Sequence, residues 1–528
     1  GRVYIFFGGA SMDNTPDAAI TGEAAGNQFG YSVSAAGDIN GDGFSDVLAG
    51  AWGYGTNTGR AYLYDYFMKG NIIPEISMTG EATTNYLGFS VATAGDVNGD
   101  GYSDVIAGAF GYSASTGRAY IFLGGASMDN IADVTITGLS TGSLFGYSVS
   151  SAGDVNGDGY SDVIVGAYGY TSFTGRAYID FGGAAMDNTA DISMTGETTS
   201  NYFGYSVSSA GDFNGDGYSD VIVGASDYST STGRAYIFLG GAVMNNISDV
   251  TMTGQSISNA FGNSVSSAGD VDGDGYSDVI VGAPGYSSST GRAYIYLGGA
   301  AINASVDLIM TGESTTNNFG NSVSTSGDVN GDGYADVIVG ADGFSANTGR
   351  TYVYYGGVTM DNISDLTITG QDIGNHFGSS VSSAGDVNGD GYSDVMAGAY
   401  GYSLIAGRAY IYLGGTAMDN IADVTMTGET TNNFFGRSVS SAGDVNRDGY
   451  SDMIVGAYGY GSSSGRAYVY TGSAIGVKPV LNYVKDVPND QGGKVNLKWT
   501  RSGYDVQGNS LITDYLIQRS FPPSGGNF

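Results

Sequence analysis

The chain has 528 residues, with 91 Gly, 41 Tyr and 22 Phe but only 7 Pro and no Cys, and a formal charge of −34. That charge argues against nucleic acid and against an anionic membrane surface, and no stretch approaches the ~20 apolar residues that span a bilayer. Zero Cys excludes disulfides and thiolate metal sites, while 41% apolar residues allow a packed core of short strands and tight turns.

Gly1 to Gly9 (GRVYIFFGG) already reads as a strand with no secretory signal before it, so the sequence reads as a processed or partial product. Asp17 to Thr21 (DAAIT) reads as another strand. A unit of 58 residues then repeats eight times without insertion. Each unit opens on an apolar-Gly pair, from Phe29-Gly30, Leu87-Gly88 and Phe145-Gly146 to Phe435-Gly436. A nonapeptide, D-x-N-x-D-G-x-x-D, follows. A Gly-Ala-x triplet comes next (Gly50-Ala51-Trp52 through Gly456-Ala457-Tyr458), then a Gly-Arg-x-Tyr segment, from Gly59-Arg60 to Gly465-Arg466.

The third unit shows four strands. Tyr147 to Ala152 is a run of small residues, Asp162 to Ala167 (DVIVGA) is near-continuously apolar, Arg176 to Phe181 alternates, and Asp191 to Thr195 is short. A four-stranded sheet cannot bury both faces alone, so neighbouring units must stack, and radial stacking leaves only short protected edges. The expected fold is all-β, a β-propeller of four-stranded blades, with eight blades the simplest count. Asp17 to Thr21 is a fourth strand without its first three, and the eighth unit ends at Tyr470 without a fourth. These deficits complement each other, so Ala18 to Thr21 is expected to pair with Arg466 to Tyr470. Gly1 to Gly9 is a third-type strand that a closed ring does not need, which leaves seven blades with extra repeats, or an open stack, as alternatives. The markers stop near Ile475, dividing residues 1–474 from a tail of residues 475–528, where Lys494 to Thr500 and Leu511 to Ser520 read as strands.

The nonapeptides offer oxygen ligands at positions 1, 3, 5 and 9 and a backbone carbonyl at position 7. In the first four loops these are Asp38, Asn40, Asp42, Phe44 and Asp46; Asp96, Asn98, Asp100, Tyr102 and Asp104; Asp154, Asn156, Asp158, Tyr160 and Asp162; and Asp212, Asn214, Asp216, Tyr218 and Asp220. The last four supply Asp270, Asp272, Asp274, Tyr276 and Asp278; Asp328, Asn330, Asp332, Tyr334 and Asp336; Asp386, Asn388, Asp390, Tyr392 and Asp394; and Asp444, Asn446, Asp448, Tyr450 and Asp452. Alternate spacing on a curled loop turns successive side chains towards one centre, and Gly at position 6 permits the curl. Oxygen-only donors rich in carboxylates suit Ca²⁺, about eight ions per chain. The loops hold 25 of the 52 acidic residues, too ordered for a merely solvated surface. Position 12, where an EF-hand needs Glu, is apolar (Ala49, Val165), so these are hairpin loops. In the last loop Arg447 replaces Gly at position 4 without removing a ligand.

The series of apolar-Gly, nonapeptide and Gly-Ala-x resembles the FG-GAP repeat of integrin α-chain N-terminal propellers and related bacterial surface proteins. The resemblance covers residues 1–474 and implies a propeller, calcium in the hairpin loops and a role in adhesion or recognition. Integrin propellers have seven blades with loops in only some, so eight loops in eight units is a departure. The tail, with KVNLKWT and then LITDYLIQRS, resembles the first half of a fibronectin type III domain.

Nothing in the chain reads as a catalytic centre. There is no Cys nucleophile, no G-x-S-x-G turn and no phosphate loop, and the one histidine, His376, reads as a tolerated substitution. In an antiparallel blade, the turns between strands two and three lie on the face opposite the calcium loops. They carry Trp52 and Tyr54, Phe110 and Tyr112, Tyr168 and Tyr170, Tyr228, Tyr286, Phe344, Tyr400 and Tyr402, and Tyr458 and Tyr460. The expected function is an extracellular or cell-surface binding module that meets a protein or glycan ligand there. A lectin-like propeller, a self-assembling subunit of a surface fibre or sheath, and rings that merely pack between blades are the alternatives.

Overall fold

A computed structural model describes residues 2–6, 18–40, 45–64, 76–125, 129–428, 431–443, 450–457, 466–470, 480–486 and 495–500. The apolar run of each unit becomes the second strand of a sheet. In the third unit Asp162–Ala167 is buried at every position, whereas the first strand, Ser148–Gly153, buries only Val149 and Ala152. The third strand, Arg176–Asp180, and the fourth, Ile192–Thr195, complete an antiparallel meander with Val149 opposite Val165, Val165 opposite Tyr178 and Tyr178 opposite Ser193. Among the described residues seven sheets have four such strands, and an eighth has these four and one more.

The core lies between blades. Ile106, Ile121 and Ile136 of the second unit pack on Phe145, Val163, Val165 and Tyr178 of the third. Two motif glycines set how closely the sheets approach. A Cβ on Gly108, from a Gly-Ala-x triplet, would lie 2.0 Å from the carbonyl oxygen of Gly146, from the next apolar-Gly pair. The same contact recurs from blade to blade and ends with Gly456 against the Gly30 carbonyl, again 2.0 Å from a Cβ. That last pair joins the eighth unit to the first and closes the ring.

The eighth sheet takes its fourth strand from the N-terminal segment. Ala18–Thr21 runs antiparallel to Arg466–Tyr470, with Ile20 opposite Ala467 and Thr21 opposite Arg466, as the complementary deficits anticipate. Arg2–Phe6 supplies the fifth strand. It sets Val3 opposite Ile20 and Tyr4 opposite Val455, the partners that Ala467 and Tyr468 also take. Arg2–Phe6 also runs parallel to Arg466–Tyr470, with Arg2 opposite Arg466 and Phe6 opposite Tyr470.

In the tail Val480–Asp486 pairs antiparallel with Val495–Thr500. The second is the strand expected at Lys494 to Thr500; the one expected at Leu511 to Ser520 lies outside the described residues.

Candidate metal centres and the opposite face

Each nonapeptide curls around its own first aspartate. In the third loop the Asp154 carboxylate accepts the N–H groups of Gly157, Asp158 and Gly159 at 2.6, 3.1 and 3.0 Å. Asn156 Nδ2 donates to Asp158 at 2.9 Å, and Asp158 accepts the Tyr160 N–H at 3.0 Å. These bonds bring positions 1, 3 and 5 together, and the pattern repeats in the second, fourth, sixth and seventh loops. Position 9 comes from the start of the second strand. Asp162 is buried and accepts the N–H groups of Val155 and Gly182, both at 2.7 Å. Burial pushes its carboxyl up to about 7; those two donors pull it down, while Asp158 and Asp154 add to the upward push. A buried carboxylate held against two others fits a hard cation.

The fifth loop goes furthest. There Asp272 stands at position 3, and one carboxylate oxygen from each of Asp270, Asp272 and Asp278 lies within 4.8 Å of the other two. Asp42 and Phe44 of the first loop, and Asp444, Asn446 and Asp448 of the eighth, lie outside the described residues, as does the Asp452 side chain. Asp38, Asn40 and Asp46 are placed, with the Ile39 N–H donating to Asp46 at 2.9 Å.

The loops also clasp the next blade, which the sequence did not disclose. The Asp96 and Val97 carbonyls accept the N–H groups of Ser161 and Gly183 at 2.9 and 2.7 Å. Gly at position 4 is the seat for the aromatic ring at position 7 of the following loop: a Cβ on Gly157 would lie 2.3 Å from Cε1 of Tyr218. Gly157 also takes φ +74. Gly157→Ala is therefore expected to cost about 1–3 kcal/mol through overpacking, plus the left-handed strain. The check is a chemical-denaturation midpoint beside that of Gly183→Ala, where φ is +157 and a Cβ meets nothing within 4 Å.

The opposite face is built differently. Among the described residues of the nonapeptides, only glycines take positive φ. In the second-to-third turns of the second to seventh units three consecutive side-chain-bearing residues do so, such as Thr171, Ser172 and Phe173 at 42, 56 and 60°. Such a turn costs roughly 1–2 kcal/mol per residue, partly offset because the Ser172 and Phe173 carbonyls accept the N–H groups of Ser200 and Tyr202 at 3.1 and 3.0 Å. The second aromatic of each described turn lies under the arginine of Gly-Arg-x-Tyr: Arg60 is 3.7 Å from the Tyr54 ring centroid and Arg408 is 3.6 Å from that of Tyr402. Arg60, Arg118, Arg234 and Arg350 also pair with Glu23, Glu81, Glu197 and Glu313 of the connection entering the blade. The first aromatic meets other rings instead, as Trp52 does at 5.8 Å from Tyr31 and Tyr168 at 4.6 Å from Tyr147. His376 stacks on Tyr400 at 4.6 Å and shares a contact of 3.2 Å with Asp342.

Among the described residues no helix is long and apolar enough to cross a membrane. Among solved structures, Sqt1 from Chaetomium thermophilum is similar in fold. One structure, bound to the N-terminus of ribosomal protein L10, has a TM-score of 0.55 and 10% identity over 85% of this chain and 98% of that one. A second has a TM-score of 0.53 and 10% identity over 88% and 99%. Integrin α-5 of Xenopus laevis is 32% identical over 117 residues, 21% of this chain and 11% of its own length. Human integrin α-IIb is 32% identical over 146 residues, 25% and 14% of the two chains. This chain thus spans only a small part of those integrin chains. The FG-GAP repeat matches eight times, at residues 29–64, 87–122, 145–180, 203–238, 261–296, 319–354, 377–412 and 435–470, which together make up more than half of the sequence. The chain is a member of the FG-GAP repeat family.

Proposed function

We infer that this chain is a calcium-stabilised, extracellular binding propeller that meets a protein ligand on the face opposite the calcium loops. The observation that carries the reading is the division of labour between the two faces. On one, glycine-relaxed loops gather carboxylates and clasp the next blade; on the other, turns with side chains at positive φ hold up partly exposed aromatic rings. Backbone strain of that kind concentrates where a surface is shaped for recognition, and Tyr and Trp make good interface anchors. The integrin relatives fit an adhesive role. The lone histidine serves the mouth of the ring through Asp342 and Tyr400 rather than a nucleophile, which supports binding over catalysis. Carboxylate loops of this class fill at roughly 10⁻⁴–10⁻³ M Ca²⁺ in extracellular modules, a concentration met outside the cell.

Calorimetric calcium titration tests the metal part of the reading. The chain is expected to take up about eight ions, and Asp154→Ala combined with Asp158→Ala about one fewer, with the remaining sites unchanged. No uptake by the parent chain, or loss of all uptake in the variant, would overturn it.

A further inference from the structure

At the axial mouth of the face opposite the loops, the eight units cease to be alike. The residue after the apolar-Gly pair is Tyr31, Phe89, Tyr147 and Tyr205 in the first four units. In the last four it is Asn263, Asn321, Ser379 and Arg437. The same strand forms with either set, so folding does not demand aromatic rings here.

The first four rings make one continuous arc. Their centroids are 4.9 Å apart from Tyr31 to Phe89, 4.9 Å from Phe89 to Tyr147 and 5.3 Å from Tyr147 to Tyr205. Trp52, Phe110 and Tyr168 brace it from behind at 5.8, 4.7 and 4.6 Å. Burial raises the phenols of Tyr31 and Tyr147 above their ordinary value, so both stay neutral hydroxyl donors.

Among the described residues the other half of the mouth presents Asn263, Asn321 and Ser379 and one arginine. Arg437 is exposed, and its guanidinium lies 5.6 Å from the Tyr400 ring centroid. It also acts on the Tyr31 phenol across the closing seam. Asp342 is occupied by His376 and by Asn318, each at 3.2 Å. Among the described residues Arg437 has no ion-pair partner, unlike the arginines that pair with Glu23, Glu81, Glu197 and Glu313.

We propose that this half-aromatic mouth holds a protein partner through an acidic side chain seated against Arg437, with the partner's neighbouring apolar residues on the arc from Tyr31 to Tyr205. The proposal rests on the opposite face being the ligand face. An unpaired guanidinium in a chain of charge −34 is a specific invitation to a carboxylate, which it can grip with two parallel hydrogen bonds. Aromatic rings beside an arginine have the composition of a protein-interface core, and the Asn263 and Asn321 amides match the donors and acceptors of a peptide backbone.

The test pans phage-displayed random dodecapeptides on the full chain in calcium. The selected peptides are expected to carry Asp or Glu beside an aromatic or aliphatic residue. Their synthetic forms should bind at least tenfold more weakly to Arg437→Gln and to Tyr147→Ser, and equally well to Ile131→Ser, a residue 70% exposed in a third-to-fourth connection on the calcium-loop face. Arg437 is exposed, so its variant leaves the fold intact and keeps the test decisive if Tyr147→Ser unfolds. Peptides without an acid, peptides indifferent to Arg437→Gln, or no enrichment at all would overturn the proposal. Peptides weakened by Ile131→Ser alone would instead overturn the choice of face. Binding to a glycan array that depends on Arg437, with no peptide enriched, would overturn the commitment to a protein.

Discussion

Phenylalanine in place of Asp180 is expected to stabilise the ring by about 5 kcal/mol near pH 9 and by much less near pH 5. Asp180 ends the third strand of the third unit, where other units place Tyr64, Phe122, Phe238, Tyr296, Tyr354 and Tyr412, all buried. It shares the face of Tyr178, which packs into the seam with the second unit. It is 1% exposed, and neither carboxylate oxygen has a hydrogen-bond partner. Burial, with Asp191 and Asp187 adding to it, pushes the carboxyl up to about 8. A pKa raised on folding means that the unfolded chain gives up its proton first. Stability therefore falls by about 1.4 kcal/mol for each pH step of one between about 4 and about 8, and levels off above that. Melting curves of the parent, Asp180→Phe and Asp180→Asn at pH 5, 7 and 9 in saturating calcium give the check. The calcium-loop carboxylates are common to all three proteins, so the differences isolate Asp180. Asparagine should flatten the pH dependence without filling the space, and phenylalanine should do both. A gain from phenylalanine that is the same at all three pH values would mean that the carboxyl is not alone in the seam.

Asp180 also shows how far the sequence alone reaches. Eight copies multiplied weak signals, so the period, the apolar second strand and the aspartates of the nonapeptide were legible at once. The pairing of Ala18–Thr21 with Arg466–Tyr470 could be anticipated too, because a surplus strand and a missing strand sat at opposite ends of the array. What stayed hidden was set by partners far away in the chain. Asp162 reads as a ligand, yet both its oxygens already accept backbone donors, and one of them, Gly182, lies twenty residues on. Gly157 reads as a turn residue, but its lack of a side chain makes room for Tyr218 of the next loop. The Ser and Thr of the second-to-third turns announce a turn without its left-handed sense, which depends on carbonyls caught by the following connection. The arc from Tyr31 to Tyr205 is a further case. Its residues are spaced 58 apart in the chain, and the stacking of consecutive blades brings them side by side.

Removing calcium is expected to have the broadest effect, because each loop belongs mechanically to two blades. The third loop closes on Asp154 and Asp158, while its backbone holds the fourth blade: the Asp154 carbonyl accepts the Ser219 N–H at 2.9 Å and the Val155 carbonyl accepts the Gly241 N–H at 2.7 Å. Without a cation, the neighbouring carboxylates repel, as Asp154 and Asp158 do Asp162 in the third loop, and relieving them by opening the loop releases the seam as well. A site filled a hundredfold above its Kd contributes roughly 2.7 kcal/mol to the folded state, so partial filling of many sites still sums to a large fraction of a domain's stability. Excess chelator should therefore lower the melting temperature by roughly ten degrees or more, and re-added Ca²⁺ should restore it. Mg²⁺ should restore it poorly, since it demands octahedral geometry and keeps its water. The fifth loop should empty last, because Asp272 gives it a fourth carboxylate. Terbium luminescence during a chelator titration would show one slowly lost ion in the parent and none in Asp272→Asn. An unchanged melting temperature in chelator would mean that hydrogen bonds to Asp154 and its counterparts alone hold the loops, and the metal reading would fall with it.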